Sequence, residues 1–290
     1  MQIDLEGLRI VIDGFDADLA RRMVERYAPY SSPADAGSSA PRPAAGGGRE
    51  DEPLRVRLGL EEIDYFIVPP EIPETNPVLV ASDGDRVRYL GYRIAGWFDA
   101  RGGRGEMLLS RGTFEPDLRA IENYIRAATA WQAASRGGAL VHAASAVHRG
   151  NGYLFFSPSG AGKSTLSAAN TRARVLSDDL SLVLPRPGGG LDIVGSPFRG
   201  TYTGGPPVIG RFPLVHGFRL VQDSRAEVRE VQRARAFGEL DANLPFVVDA
   251  FPKRPDLFAR FEEIFAPLPL SHLHFRKDDS YWDAIERAGL

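Results

Sequence analysis

Apolar side chains alternate with polar ones over Leu8–Asp13, and from Asp16 to Tyr27 the residues Leu19, Met23 and Tyr27 recur at helical spacing. The first pattern predicts a strand and the second a helix packed by one face. From Leu54 to about Leu109 short apolar runs are broken by turn signals: RVRLGL, YFIV before Pro69-Pro70, VLVA before Asp83-Gly84, and VRYLGYRIAGWF. These read as the strands of a small, largely β region. Leu118, Ile121, Ile125, Ala128 and Trp131 then repeat at three or four residues after Pro116, predicting a helix that Gly137-Gly138 ends. Beyond Gly138 the runs ALVHAASAV, GYLFF, RVLSDDLSLVL, LDIVG and PLVHGFRLV alternate with helical or glycine-rich segments, the order of a βαβ unit. Helices are expected at Asp256–Phe265 and Ser280–Ala288, flanking a strand at Leu270–Phe275.

Between Ser31 and Pro53, 17 of 23 residues are Ser, Pro, Ala or Gly and none is large and apolar. Such a stretch does not repay its ordering entropy and reads as a linker or disordered loop. No internal repeat is present. The chain thus divides into an N-terminal α+β region, residues 1–115 with the linker at 31–53, and a second domain, residues 116–290.

Composition narrows the chemistry. At 290 residues and 43% hydrophobic content the chain can bury one large core or two modest ones. With 35 basic against 38 acidic residues, nothing global favours nucleic acid or an anionic membrane as partner. No apolar run approaches the ~20 residues of a membrane span, and the N-terminus lacks a basic region followed by an apolar stretch, so a cytoplasmic address is expected. The absence of cysteine excludes disulfides, thiolate zinc sites, iron–sulfur clusters and cysteine nucleophiles. Only three of the basic residues are lysines, Lys163, Lys253 and Lys277, so each lysine is informative.

One of them stands in the sharpest motif. The apolar run Gly152–Phe156 leads into Ser157-Pro-Ser159-Gly160-Ala161-Gly162-Lys163-Ser164-Thr165, which matches a phosphate-binding loop except that Ser157 replaces its first glycine. Gly160 and Gly162 permit backbone angles that turn successive N–H groups inward as an anion site, and the start of the following helix adds partial positive charge. Lys163 would reach the β- and γ-phosphates of ATP, Ser164 would ligate Mg²⁺, and Thr165 would support the first helical turn. The competing structural reading is a glycine turn that merely joins strand to helix.

Fifteen residues after Lys163 stand Asp178 and Asp179, at the end of one apolar run and before another. On a strand beside the phosphate loop, one carboxylate can hold Mg²⁺ while the other accepts a proton from an attacking hydroxyl. Without that loop the pair would be an ordinary turn. His142, in Ala139-Leu-Val-His-Ala-Ala-Ser, is either a half-buried structural histidine or a neighbour of the acids. Arg199, in the glycine-dense stretch Gly195–Gly205, could bridge phosphoryl oxygens or be a solvated loop arginine, with Arg211 a weaker candidate. His148 looks like a turn residue, and His272 with His274 shares a strand face without a carboxylate cluster to complete a metal site.

The order His142-Ala-Ala-Ser, strand, Ser159-Gly-Ala-Gly-Lys-Ser-Thr, then Leu176-Ser-Asp-Asp resembles the kinase domain of the HPr kinase/phosphorylase family, closely over Ala139–Asp179 and loosely to Leu290. The resemblance implies a P-loop kinase domain related to the nucleotide-binding part of phosphoenolpyruvate carboxykinase. It also implies ATP on the loop, a histidine beside the catalytic acid, metal contact and base from the aspartates, and a serine hydroxyl as acceptor. That family carries a glutamate two residues before an arginine and glycine, where this chain has Pro197 before Arg199-Gly200, which argues against HPr as the substrate. The chain is more similar to related kinases found with peptide-modification genes, including those that phosphorylate a serine of a lasso peptide. The expected activity is therefore an ATP- and Mg²⁺-dependent kinase acting on a serine of a peptide or protein. A small hydroxylated metabolite as acceptor and a non-catalytic nucleotide sensor are the alternatives. The oligomeric state is left open, a homo-oligomer included.

Overall fold

A computed structural model describes residues 1–31, 52–69, 78–158 and 160–290. It is a mixed α/β structure of two compact units, Met1–Ser135 and Arg136–Leu290. Most of the expected linker, and Ser159, lie outside the described residues.

In the first unit β1 (Gln2–Leu5) and β2 (Leu8–Asp13) form a hairpin closed by Glu6 and Gly7, both at positive φ. Helix α1 (Ala17–Tyr27) starts at Asp16, whose carboxylate accepts from the Leu19 amide at 2.8 Å, and it buries Leu19, Met23 and Tyr27 as its period requires. Strands β3 (Leu54–Glu61), β4 (Leu79–Asp83), β5 (Arg86–Leu90), β6 (Ile94–Asp99) and β7 (Gly103–Ser110) complete a seven-stranded sheet of order β1-β2-β3-β7-β6-β5-β4. The β2–β3 and β3–β7 ladders are parallel and the others antiparallel. Tyr65–Val68 forms no strand, for Pro69 follows at once and has no N–H to continue a ladder. Helix α2 (Asp117–Ser135) packs on β2, β6 and β7, with α1 beside it. The boundary expected at 115/116 is therefore corrected to 135/136: the apolar stripe of α2 faces the first sheet.

In the second unit the strands are β8 (Ala139–His148), β9 (Asn151–Phe156), β10 (Arg174–Ser177), β11 (Leu180–Pro185), β12 (Leu191–Val194), β13 (Arg211–Gln222), β14 (Glu227–Glu230) and β15 (Leu270–Phe275). Five of them close a circuit, with β8 paired to β11, β11 to β12, β12 to β13, β13 to β9, and β9 back to β8. Strands β9, β13 and β15 run parallel. Helices α3 (Lys163–Ala169) and α6 (Tyr281–Arg287) bring Leu166, Tyr281, Trp282 and Ile285 onto a core with Tyr153, Phe155, Phe218, Leu220, Leu273 and Phe275. Helices α4 (Arg233–Asp241) and α5 (Pro255–Phe265) pack elsewhere in this unit, α4 against β13 and β15. Among the described residues no helix is long and apolar enough to cross a membrane.

His216 on β13 is buried at 4% exposure, stacks on Phe218 at 4.3 Å between ring centroids, and has its Nε2 3.0 Å from the Ser271 hydroxyl. Burial pulls its pKa down to about 4. Between the ordinary value near 6.5 and that value the unfolded chain binds the extra proton, so this residue makes stability fall as pH falls across the window. The full effect is roughly 3 kcal/mol at 1.36 kcal/mol per unit. Urea midpoints from pH 7 to pH 4 should fall more steeply for the natural chain than for His216→Phe; equal slopes would refute this.

Candidate functional site

The course of the chain along β8 explains why the expected residues meet. Strand β9 pairs with one edge of β8, Phe156 opposite Ala143 and Phe155 opposite Ala144. On the other edge β10 and β11 follow one another, Ser177 opposite Ser145 and Leu180 opposite His142. Asp178 and Asp179 fill the gap between these two ladders. They therefore lie across β8 from the end of β9, where the glycine loop begins. The acid-bearing strand is not a parallel neighbour of β9, as a simple βαβ order would have it. Both are antiparallel to β8, so they still point the same way and deliver loop and acids to one end.

The loop itself is shaped by its glycines. Gly162 has φ +107°, and a Cβ there would stand 2.6 Å from the Phe275 ring. Its carbonyl accepts from the Leu166 amide at 2.8 Å and so begins α3. Because α3 has only seven residues, the Lys163 ammonium carries more of the positive potential here than the helix dipole does. Lys163 is buried, and its ammonium donates to the Ser157 carbonyl at 2.9 Å, keeping it over its own loop. Desolvation lowers its pKa, and the nearby Asp179 charge opposes that. Ser157 is fully buried, so the departure from glycine is absorbed by a residue small enough to pack there.

The two acids have different surroundings. Asp178 is buried at 2% exposure; its Oδ1 accepts from the Gly200 amide at 2.7 Å, and its Oδ2 from the amides of Thr201 and Tyr202, each at 3.0 Å. It anchors the 200–202 loop, a role that sequence could not show because its partners lie 22 to 24 residues away. Oδ1, with one donor, retains acceptor capacity for a cation. The Asp179 side chain is 28% exposed, and its Oδ1 lies 3.6 Å from His142 Nε2, beyond direct hydrogen-bond range. The amide of His142 donates to the Asn243 carbonyl at 2.7 Å, which fixes the start of β8.

A cavity of about 370 Å³ is lined by His142, Gly160, Gly162, Lys163, Ser164, Thr165, Asp178, Asp179, Gly200 and Thr201. Ser157 and Ala161 belong to the loop but do not line it, and Ser159 is outside the described residues. Gly200 and Thr201 were not foreseen as lining residues; the glycine-dense stretch was the only signal for them.

Arg199 is not brought to the cavity. Its guanidinium donates to the carbonyls of Leu176, Val175, Gly205 and Pro206, at 2.8 to 3.4 Å, clasping the 199–206 loop to β10. With its donors so engaged, the phosphoryl-bridging role expected of it is not what its position offers. Arg211 is likewise committed, pairing with Asp192 at 3.0 Å. His148 stacks on Trp282 and its Nδ1 lies 3.2 Å from the Arg172 carbonyl, a structural place. His272 and His274 do have carboxylates: His272 lies 2.8 Å from Glu239, and His274 lies 2.8 Å from Asp223. Asp223, Glu227 and His274 offer ligand atoms within 4.8 Å of one another. The hydrogen bond to His274, with help from the Ser224 amide, pulls the Asp223 carboxyl down to about 2.

Compared with known proteins, the chain matches no family model and no curated protein.

Proposed function

We propose that the second unit is an ATP- and Mg²⁺-dependent kinase that transfers the γ-phosphoryl group to a hydroxyl, a serine of a peptide or protein being the acceptor the sequence resemblance favours. The observation that carries this reading is the convergence of Lys163, Ser164, Asp178, Asp179 and His142 on one cavity with the glycine loop. A glycine turn that only joined strand to helix would have no use for a buried lysine lining one cavity with two carboxylates.

The residues fit the nucleotide and its cation. Gly162 keeps the turn free of a side chain that would strike Phe275, and Ser164 and Asp178 supply the hard oxygen donors that Mg²⁺ prefers. When bound, Mg²⁺ neutralises charge on the phosphate oxygens. Lys163 exchanges its bond to the Ser157 carbonyl for the terminal phosphates. Asp179 takes the proton of the acceptor hydroxyl as that oxygen bonds to the γ-phosphorus and the bond to the bridging oxygen breaks, releasing ADP. His142 beside it biases the orientation of the Asp179 carboxylate.

Incubating the protein with ATP, Mg²⁺ and candidate acceptors, read by mass spectrometry for a gain of phosphate, tests the reading. Lys163→Ala should abolish both nucleotide binding and product; transfer undiminished in this variant would refute it. A nucleotide-sensing module is the second reading, favoured by the commitment of Arg199 to carbonyls rather than to the cavity. It predicts calorimetric binding of ATP with no phosphorylated product from any acceptor. A kinase of a small hydroxylated metabolite differs only in which product appears.

A further inference from the structure

Within the first unit, the described residues put helix α2 on one face of the seven-stranded sheet and none of its helices on the other. On that other face β3 presents Arg55 and Arg57, β5 presents Arg86 and Arg88, and β7 presents Arg104, all exposed, while the alternate residues Leu54, Val56, Leu58, Val87 and Tyr89 are buried. The ladders place Arg55 opposite Arg104, and Arg88 opposite Trp97 on β6. Arg86 lies over the Trp97 ring at 3.8 Å.

Acids alternate with these arginines across the ladders, Glu106 opposite Arg57 and Asp99 opposite Arg86. Glu106 accepts from the Trp97 indole at 3.1 Å, and Asp99 accepts from the Arg101 amide at 3.0 Å. Asp13 stands opposite Arg57, and Asp83 opposite Arg86, without forming an ion pair. Among the described residues Arg55, Arg57, Arg88 and Arg104 have no ion pair and no side-chain hydrogen bond. Stacking leaves the in-plane N–H groups of Arg86 open as well. Arg55, Arg86, Arg104 and Trp97 line a groove of about 610 Å³ with Asp99 and Glu52.

We propose that this groove is a docking site for an extended acidic polypeptide segment. At 3.2–3.4 Å per residue, Arg57 and Arg88, just beyond the groove, stand roughly 6.6 Å along their strands from Arg55 and Arg86 in its lining, the separation of every second side chain in an extended peptide. Alternate Glu or Asp side chains can therefore each meet a guanidinium fork. A nucleic acid is the poorer match: its continuous charge would run over Asp13, Asp83, Asp99 and Glu106, and the chain as a whole is at −3. The inference is independent of the phosphotransfer reading, because it concerns the first unit alone and needs no nucleotide.

Trp97 supplies a local reporter, for Trp131 and Trp282 are fully buried. The full chain is titrated with a dodecapeptide of alternating Glu and Thr, following anisotropy of the labelled peptide and acrylamide quenching of tryptophan fluorescence. Binding should shield Trp97, weaken with salt, and fall at least tenfold in Arg55→Glu/Arg104→Glu at unchanged melting temperature. The milder Arg55→Gln/Arg104→Gln pair should show the same direction without creating a new attraction to Arg57. An alternating Gln and Thr peptide should not bind. The proposal is overturned if the acidic peptide fails to bind, if it binds both variants as it binds the natural chain, or if a single-stranded oligonucleotide of equal length binds more tightly through the same arginines.

Discussion

Asp179→Asn is expected to slow phosphotransfer by about 10²–10⁴-fold, the usual contribution of a positioned general base, while leaving the melting temperature nearly unchanged. Asparagine keeps the shape of the side chain but cannot take up the acceptor's proton. The Asp179 side chain is 28% exposed, so the fold loses little when its charge is removed. Asp178→Asn should lose stability as well as transfer. Its carboxylate receives three backbone amides, and the NH₂ of asparagine would face at least one of those donors. Losing a charge-assisted bond in a buried site costs about 1.5–3 kcal/mol, which for a unit of this size lowers the melting temperature by several degrees. Thermal melts and ATP turnover of the two variants, measured side by side, check the division of roles. Full transfer by Asp179→Asn would remove it from the base position.

The second large effect is expected from Gly162→Ala. Alanine would have to adopt φ +107° and place its methyl 2.6 Å from the Phe275 ring and 3.2 Å from the Gln222 amide nitrogen. The backbone strain alone costs on the order of 1–3 kcal/mol, and relieving the clash must displace the loop whose amides form the anion site. Nucleotide affinity by calorimetry should fall at least tenfold. Adding Phe275→Ala should restore the space but not the backbone angle, so the double variant recovers only part of the affinity. Gly160→Ala is the internal comparison, since its added methyl meets no atom within 4 Å and only the positive φ, +78°, is penalised. If Gly162→Ala binds nucleotide as the natural chain does, the loop is not the phosphate site.

What could be read in the sequence was what is encoded locally. The glycine loop with Lys163 is contiguous, and the stripes that define α1, α2 and α5 need only their own residues. Helix α4, Arg233–Asp241, was not anticipated, because it buries only Ala236 and Leu240 and shows no sustained apolar period. Strand β1 escaped for a similar reason, being four residues of mixed character. Two roles depended on partners distant in the chain. That Asp178 also anchors a loop through the amides of Gly200–Tyr202 leaves no trace near it in the chain, and neither does the engagement of the Arg199 donors by carbonyls. The domain boundary was misplaced because periodicity shows that α2 has an apolar stripe, not which sheet receives it. The closure of five strands into a circuit was equally invisible, since register between strands separated by tens of residues leaves no local trace.

That circuit makes β8 the ruler of the site. His142, the turn carrying both acids, and the departure point of the phosphate loop are all indexed to consecutive rungs of one strand, from His142 to Ser145. A ring of ladders cannot shear on one side without breaking on another, so these groups keep a common alignment. Deleting one residue between His142 and Ser145 would turn the imidazole to the reverse side of the strand and shift the acids by one rung. Chemistry would then be lost out of proportion to any loss of foldedness.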